Sequence, residues 1–373
     1  MPGRSLPRVS EMPLALKIGQ LFVVGFEGTK VSRALRRFLE EQGLGGVTLF
    51  ARNVKGVRQV RQLCAEISRV NSPVPPLISI DQEGGPVMRL RVPPFTPWPA
   101  AGDVARYVER TGDLAAATAV GLAMGRELRA VGIHWNFAPV LDLDTNPRNP
   151  VIGPRAYGRR AGSAARLALA VERGLRRAGI LTTGKHFPGH GDTVDDSHFS
   201  LPVVKRSARS LAAVELAPFR AAVRAGMPSL MTAHVLYPAW DRKRAASFSP
   251  AILQGILRGR LGYRGAIVSD DLSMAGARQG QTIEEAAFNS IMAGADILLV
   301  CHDARAQRRA YRHLLSRAEK GEIPMRRIDE AVRRILALKR RFIVARAAGR
   351  APISWVGRPA HRRLVARIMK QGK

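Results

Sequence analysis

Eight short apolar runs recur along this chain, and they limit what it can fold into more than any other feature. Each run is mostly apolar along its whole length, without strict alternation of polar and apolar positions. Continuous runs of this kind are typical of parallel strands that are buried on both faces of a sheet. The predicted strands are Leu21–Phe26, Gly46–Phe50, Leu77–Ile80, Ile133–Val140, Ile180–Thr183, Ser229–Ala233, Ala266–Ser269 and Asp296–Val300.

Longer stretches with helical periodicity separate these runs and complete about eight β/α units. Examples of the predicted helices are Val31–Gln42, Val57–Val70, Leu114–Val131, Ser163–Ala178, Leu211–Ala225 and Glu284–Ala293. The pattern predicts an α/β fold, a single (β/α)8 TIM-type barrel with a short basic C-terminal extension. An open doubly wound sheet is the alternative, but it usually has fewer strands and a glycine-rich phosphate loop after the first. Here the first run is followed by Glu27-Gly28-Thr29, which is not such a loop.

The predicted barrel occupies residues 12–345, and residues 346–373 form a basic tail. Within the tail, His361–Lys370 has the spacing of a short amphipathic helix. We expect this helix to dock on the barrel, although contact with a membrane surface is a second interpretation. Val92–Pro99 is too rich in proline for a helix or a strand and is predicted to be a rigid loop.

Composition narrows the classes of protein that fit. The 373 residues are 46% hydrophobic and 24% charged, which argues against a mainly disordered chain. The formal charge of +31 suggests nucleic-acid or membrane-surface binding, but the arginines are spread along nearly the whole chain. Two cysteines, Cys64 and Cys301, cannot form a disulfide framework. With no convincing signal segment and no membrane span expected, the prediction is a cytoplasmic protein.

Polar residues follow most of the predicted strands, at the end where TIM-type barrels carry their active sites. They are Asp81, Asn136, Asp142, Lys185, His186, His234, Asp270, His302 and Asp303. Any one of them could simply cap the next helix. Their repetition after most strands is harder to explain in that way and favours a site.

The segment from Lys185 to His198 is the densest in titratable groups, with three histidines, three aspartates and a lysine. Pro188 and the neighbouring glycines exclude a regular helix, so a loop is predicted. One interpretation is a metal site of histidines, although no helix brings the rings together. A second is sugar binding with acid/base chemistry, in which Asp196 orients His198 and raises its basicity. A third is purely structural, with histidines that satisfy loop carbonyls.

Two adjacent carboxylates, Asp270 and Asp271, end another predicted strand. Because adjacent side chains of an extended chain point in opposite directions, one is expected to face the barrel mouth. The other would pack behind it or cap the next helix. Alternatively, both carboxylates could simply cap that helix. A rigid, partly desolvated carboxylate at a strand end is suited to act as a nucleophile.

Two further segments offer groups that suit sugar hydroxyls. Asp81 begins DQEGG and Arg89 follows it, so an acceptor and a forked donor lie close in sequence. The proline-rich stretch from Asp142 to Gly158 is an ordered loop from which Arg155 could enter a pocket. Taken alone, each segment could equally be a capped or proline-stiffened connection.

Taken together, these motifs resemble family 3 glycoside hydrolases, and in particular their NagZ-type β-N-acetylglucosaminidases. KHFPGHGDT with DSH, together with SDDLSM, carries the resemblance, and DQEGG and NPVIGPRAYG support it. It extends roughly from Leu16 to Arg341. The chain departs from the family pattern at Gln82, Pro86 and Ala156, where the family often has His, Arg and Ser.

The resemblance implies a role for each matching residue and a retaining mechanism. Asp270 matches the nucleophile, and His198 matches the general acid/base that Asp196 orients. The residues that match binders of the terminal N-acetylglucosamine are Asp81, Arg89, Arg155, Lys185 and His186. No metal or other cofactor is implied. The expected substrate is a peptidoglycan fragment, N-acetylglucosamine linked to 1,6-anhydro-N-acetylmuramic acid with or without peptide, which a monomer would cleave during cell-wall recycling.

Three other functions stay open at this point. A β-glucosidase or a β-glycoside phosphorylase could use the same barrel, since a histidine acid/base repels phosphate less than a carboxylate does. A metal-dependent hydrolase would use the loop histidines. A nucleic-acid- or envelope-binding protein would use the positive charge instead.

Overall fold

Ten strands are present in the computed structural model, which describes residues 6–197, 199–278, 280–346 and 351–372. In chain order they are β1 (Phe22–Val24), β2 (Gly46–Leu49), β3 (Leu77–Ile80), β4 (Gln82–Gly84), β5 (Val87–Met88), β6 (Trp135–Asn136), β7 (Leu181–Phe187), β8 (Ser229–Thr232), β9 (Ala266–Asp271) and β10 (Ile297–Val300). Eight of them belong to one sheet, and β4 pairs with β5 in a separate antiparallel hairpin.

The large sheet is a closed parallel barrel in the order β1-β10-β9-β8-β7-β6-β3-β2. The barrel closes where Phe22 of β1 pairs with Leu298 of β10 and Val23 of β1 pairs with Gly46 of β2. Almost every residue of the barrel strands is buried, as the unbroken apolar runs predicted. The predicted barrel is therefore confirmed, and the open doubly wound sheet is excluded.

Helices surround the barrel and lie between its strands. They are α1 (Leu14–Gln20), α2 (Arg33–Glu41), α3 (Val57–Ser68), α4 (Ala101–Thr111), α5 (Leu114–Val131), α6 (Ala161–Arg177), α7 (Ala208–Ala213), α8 (Leu216–Arg224), α9 (Ala275–Arg278), α10 (Ile283–Ala293), α11 (Ala304–Glu319), α12 (Met325–Phe342) and α13 (Pro359–Gln371), with a π-helical segment at Ala251–Arg260. Local signals set several ends: Asp113 caps α5 through the N–H of Ala116, and Thr282 caps α10 through that of Glu285.

Three predicted elements differ from the structure. The run Ile133–Val140 forms only the short strand β6, because Pro139 has no N–H to donate to a ladder. The helix predicted over Leu211–Ala225 is divided into α7 and α8, because Pro218 cannot donate to the carbonyl of Val214. Strand β7 continues past its predicted end to Phe187, so Lys185 and His186 lie within the strand.

The C-terminal helix α13 packs against α4 and α5 on the outside of the barrel. His361, Val365 and Ile368 form its buried side, in the spacing that the sequence predicted. The structure contains this packing, but the division of the chain at residue 345 into barrel and tail remains a prediction. No helix in the described parts of the chain is long and apolar enough to cross a membrane.

The hairpin of β4 and β5 lies directly beside the Pro-rich loop at residues 92–99. Gly85 donates its N–H to the carbonyl of Trp98 at 2.9 Å. Gly84 has a positive φ of 108°, and a Cβ there would lie 2.1 Å from the carbonyl oxygen of Pro99. Only glycine suits that position, so the close contact ties the hairpin to the loop.

Candidate active site

Two adjoining cavities open at the carboxyl ends of the barrel strands, where barrel active sites occur. The larger has a volume of about 270 Å³ and extends toward Phe50, Cys301 and His302. The smaller, of about 120 Å³, lies beside β4 and β7. Both cavities are lined by Asp81, Arg89, Asp270 and Met274. Asp81 and Asp270 thus lie at the boundary between the two cavities.

Lys185 binds two carboxylates at the centre of the site. Its Nζ donates to Asp81 Oδ1 at 2.7 Å and also lies 2.7 Å from Glu83 Oε1. Burial alone would lower the pKa of Lys185, but the two carboxylates raise it above its ordinary value. Arg89 donates to the other oxygen of Asp81 at 3.3 Å. Asp81 therefore contacts both of the other predicted binding residues, Arg89 and Lys185, and Lys185 is a cation at neutral pH.

Glu83 is a site residue that sequence reasoning did not single out. Arg155 donates to it twice, from Nε to Oε2 at 2.9 Å and from the terminal nitrogen NH2 to Oε1 at 2.8 Å. Although burial opposes ionisation, Arg155 and Lys185 hold the pKa of Glu83 well below its usual range. One signal could have identified it: Glu83 stands two residues after Asp81, so in an extended segment both point to the same side.

Asp142 orients the first two histidines of the dense segment. Its Oδ2 lies 2.6 Å from Nδ1 of His186, and the backbone N–H of His190 donates to its Oδ1 at 2.7 Å. Burial alone would raise the pKa of Asp142, but its contacts with these histidines lower it. The ionised carboxylate therefore fixes Nδ1 of His186 as a donor, and His186 lines the smaller cavity.

Asp270 ends β9 and faces both cavities. The N–H of Asp271 donates to its Oδ1 at 2.8 Å. Burial would raise the pKa of Asp270, but His186, His234 and this N–H hold it below the ordinary value. It is a partly buried, ionised carboxylate on a rigid strand, as a nucleophile requires.

Asp271 differs from its neighbour in both contacts and ionisation. Its Oδ1 accepts the N–H groups of Ser273 and Cys301, and its Oδ2 lies 3.4 Å from His302. Burial raises the pKa of Asp271. The two adjacent carboxylates therefore have different environments, which lower the pKa of Asp270 and raise that of Asp271.

The loop after β7 is held in place near the smaller cavity. His190 contacts Thr193 through Nδ1 at 3.0 Å and Ser197 through Nε2 at 3.1 Å. Asp192 forms a paired contact with Arg206 at 2.6 Å for each bond. Ser197 lines the smaller cavity, so this loop borders the candidate site.

His198 lies outside the described residues, and Asp196 is only partly buried in the loop. The backbone carbonyl of Asp196 accepts the N–H groups of Phe199 and Ser200. The predicted pairing of Asp196 with His198 therefore stays a prediction. Among the residues that the structure describes, no group of three or more His, Cys, Asp or Glu side chains could hold a metal ion.

The site combines a closed parallel barrel, an ionised carboxylate at a strand end and charged groups that suit sugar hydroxyls. This combination is that of a barrel glycoside hydrolase. A family model described as the glycosyl hydrolase family 3 N terminal domain matches residues 13–338. The chain belongs to this family and is a glycoside hydrolase.

Individual relatives agree with the subgroup that the motifs indicated. A β-hexosaminidase of Neisseria meningitidis serogroup C is 45% identical over 267 residues, which cover 71% of this chain and 73% of the relative. The structure of a family 3 β-N-acetylglucosaminidase from Paenibacillus sp. is 41% identical with a TM-score of 0.92, covering 97% of this chain and 69% of that one. Native NagZ from Neisseria gonorrhoeae is 34% identical with a TM-score of 0.79, covering 94% and 97%. The resemblance found in the sequence is confirmed.

Proposed function

We propose that this protein removes terminal, non-reducing β-linked N-acetylglucosamine with retention of configuration. The observation that carries the proposal is Asp270, a partly buried, ionised carboxylate that borders both cavities together with Asp81, while Arg155, Lys185 and His186 line the smaller one. Several charged or polar groups around one carboxylate suit a sugar ring with several hydroxyls. Similarity to proteins named β-hexosaminidase supports N-acetylglucosamine as that sugar.

In the proposed reaction, Asp270 attacks the anomeric carbon while His198 protonates the leaving oxygen. Water, deprotonated by His198, then releases the sugar from the covalent glycosyl-aspartate. Asp196 orients His198, and Asp81, Arg89, Arg155, Lys185 and His186 hold the terminal sugar. Histidine suits both halves of the reaction because its ordinary pKa of about 6.5 lies near working pH.

A mechanism-based fluorosugar tests the nucleophile. We expect it to label Asp270 during turnover, as detected by mass spectrometry of the digested protein. Asp270→Ala should lose nearly all activity, because no other group replaces the attacking carboxylate. Labelling of a different residue would contradict the assignment of Asp270.

The role of His198 is tested with leaving groups of different basicity. His198→Ala should lose less activity on a nitrophenyl glycoside than on a disaccharide, because nitrophenolate needs little protonation. Asp196→Asn should show the same dependence more weakly, since it acts through His198. Equal losses on both substrates would count against His198 as the acid.

The natural substrate we propose is a peptidoglycan fragment in the cytoplasm, N-acetylglucosamine joined to 1,6-anhydro-N-acetylmuramic acid with or without peptide. The deciding assay compares nitrophenyl β-N-acetylglucosaminide with the matching β-glucoside. A clear preference for the first supports the proposal, and a preference for the glucoside would overturn it. Running the assay in phosphate buffer and searching for a sugar 1-phosphate separates hydrolysis from phosphorolysis.

A further inference from the structure

Asp81 and Glu83 point to the same side of an extended segment, and the cations of the site lie between and beside them. Gln82 points the other way, where its side-chain oxygen accepts the N–H groups of Arg89 and Leu90. The alternation follows from the period of two in extended chains. Both carboxylates therefore contact one ammonium, that of Lys185.

The two carboxylates differ in how much of each is left for a ligand. The Asp81 side chain is 17% exposed and borders both cavities, whereas that of Glu83 is 5% exposed and borders the smaller cavity. Glu83 Oε1 accepts from both Arg155 and Lys185, and its Oε2 accepts from Arg155. Since protein cations already engage both oxygens, Glu83 is placed to orient other residues and not to bind substrate itself.

Arg155 and Lys185 have more N–H donors than Glu83 and the other protein acceptors use. A guanidinium has five N–H groups, of which Glu83 accepts two and the carbonyl of Val151 accepts one. An ammonium has three, of which Asp81 and Glu83 accept two. Among the described residues, Arg155 thus keeps two N–H groups without an acceptor and Lys185 keeps one, and both residues line the smaller cavity.

The charge of Glu83 also offsets one of the positive charges of the site. With it, the pairs of Asp81 with Lys185 and of Glu83 with Arg155 are neutral as a set. Without it, a surplus positive charge would remain near Asp270. Such a charge opposes the oxocarbenium-like transition state of glycoside cleavage and further stabilises the nucleophile in its resting ionised form.

We infer that Glu83 is a positioning residue of the reaction, which aims Arg155 and Lys185 at the terminal sugar and cancels one of their charges. This inference rests on the proposed function for the identity of the sugar. It goes beyond that function because Glu83 acts through two other residues and holds no atom of the substrate.

The test compares Glu83→Gln with Glu172→Gln. Glu172 is an equally buried carboxylate that binds Arg176 at 3.0 Å and Thr182, away from both cavities. We expect Glu83→Gln to lower kcat/KM on the order of 10²-fold, as misaligned binding groups do. The loss should fall mainly on kcat, because the surplus charge acts in the transition state. Glu172→Gln should retain kcat/KM within about twofold, since it is remote from the chemistry.

Titration of the Lys185 ammonium, followed by NMR, distinguishes positioning from a general loss of stability. Because Asp81 and Glu83 together raise the pKa of Lys185, removing the charge of Glu83 lowers that pKa. The pKa of Lys185 should therefore fall in Glu83→Gln and stay in place in Glu172→Gln. An unchanged Lys185 pKa, together with equal activities of the two variants, would overturn the inference.

A second variant is used if Glu83→Gln does not fold. Arg155→Lys keeps the positive charge but loses the forked guanidinium, and it should show a similar loss of kcat with little change in melting temperature. Wild-type activity of the Arg155→Lys variant would then overturn the inference. The NMR titration of the Lys185 ammonium needs no turnover. It therefore tests the role of Glu83 even if the wild type cleaves a different glycoside and the proposed substrate is wrong.

Discussion

Glu215 is a buried carboxyl group beneath the loop that follows β7, and its surroundings differ from those of the site carboxylates. Its Oε1 accepts from Thr145 at 3.0 Å, whereas Glu83 and Asp142 have charged or paired donors. Burial raises the pKa of Glu215 to about 7, and the negative charges of Asp142 and Asp192 add to the effect. The ionised form of Glu215 is therefore unfavourable in the folded protein.

This raised pKa predicts a dependence of stability on pH. Between the ordinary pKa of a glutamate and about 7, the folded chain binds the Glu215 proton more tightly than the unfolded chain does, so stability falls as pH rises. Glu215→Gln should abolish this fall. The variant should gain up to about 3 kcal/mol over the wild type at pH 8 and little at pH 4.5.

Denaturant unfolding at the two pH values measures the effect. Glu330→Gln is the control, because in the described parts of the chain Glu330 forms a surface pair with Arg326 and should change stability by about 0.5 kcal/mol or less at either pH. A gain for Glu215→Gln that is equal at pH 4.5 and pH 8 would contradict the explanation by ionisation.

At the scale of elements, the C-terminal helix is joined to the Pro-rich loop through a single buried carboxylate. Glu127 of α5 accepts from Nδ1 of His361 and from the N–H of Gly357, each at 2.9 Å. It also accepts from Thr96 of the loop, whose neighbour Trp98 lies against the His361 ring at 5.7 Å. The same loop holds the β4–β5 hairpin, so α13 supports the hairpin that carries Glu83.

His361→Ala should therefore loosen the C-terminal segment and the loop together. We expect a loss of about 2 kcal/mol, because a hydrogen bond to a charged group and a ring contact disappear. Urea unfolding measures the loss, and limited proteolysis should release the C-terminal segment sooner. Arg367→Ala on the same helix is the control, since its half-exposed side chain forms a surface pair with Asp113 and lies 5.6 Å from the centre of the Tyr107 ring, and its loss should cost about 1 kcal/mol or less. Equal losses in both variants would show that Glu127 does not join these segments.

The ends of helices and strands agree with the sequence prediction where a local signal sets them. They differ from it where tertiary contacts outweigh the local signal. Helix α5 begins and ends as predicted because Asp113 caps it and Gly132 follows it in a left-handed conformation. Strand β7 exceeded its prediction because Lys185, a residue that sequence patterns place in loops, remains paired to neighbouring backbone. The carboxylates that make the burial of Lys185 favourable, Asp81 and Glu83, are far from it in the sequence, so no local pattern predicts this burial.

At the scale of the whole molecule, the charge of +31 is the feature that the catalytic proposal leaves unused. A surplus of positive charge attracts anionic ligands over a range that salt shortens to about 8 Å at physiological ionic strength. A muropeptide carries carboxylates, whereas a nitrophenyl glycoside is neutral. The charge is therefore expected to affect encounter with the first and not with the second.

We predict that kcat/KM on an anionic muropeptide falls several-fold as salt rises from about 0.05 to 0.5 M, because screening removes the attraction. Activity on neutral nitrophenyl β-N-acetylglucosaminide is the internal control and should hardly change. A muropeptide efficiency that does not fall with salt would remove any role of the charge in substrate capture. Steep salt-dependent binding of duplex DNA would instead support the nucleic-acid interpretation.

The sequence by itself determined the barrel and most of the candidate site. Parallel strands that are buried on both faces need unbroken apolar runs. A closed barrel brings the residues that follow these runs together at one end, so the positions of Asp81, Lys185 and Asp270 along the chain already place them near one another. What only the tertiary structure decided is how these groups are ionised and aimed. Asp270 and Asp271 are the same residue type, and their different neighbours alone give them opposite pKa shifts. Glu83 acquires its contacts from Arg155 and Lys185, which are far along the chain, because burial and charge pairing depend on which segments the closed barrel brings together.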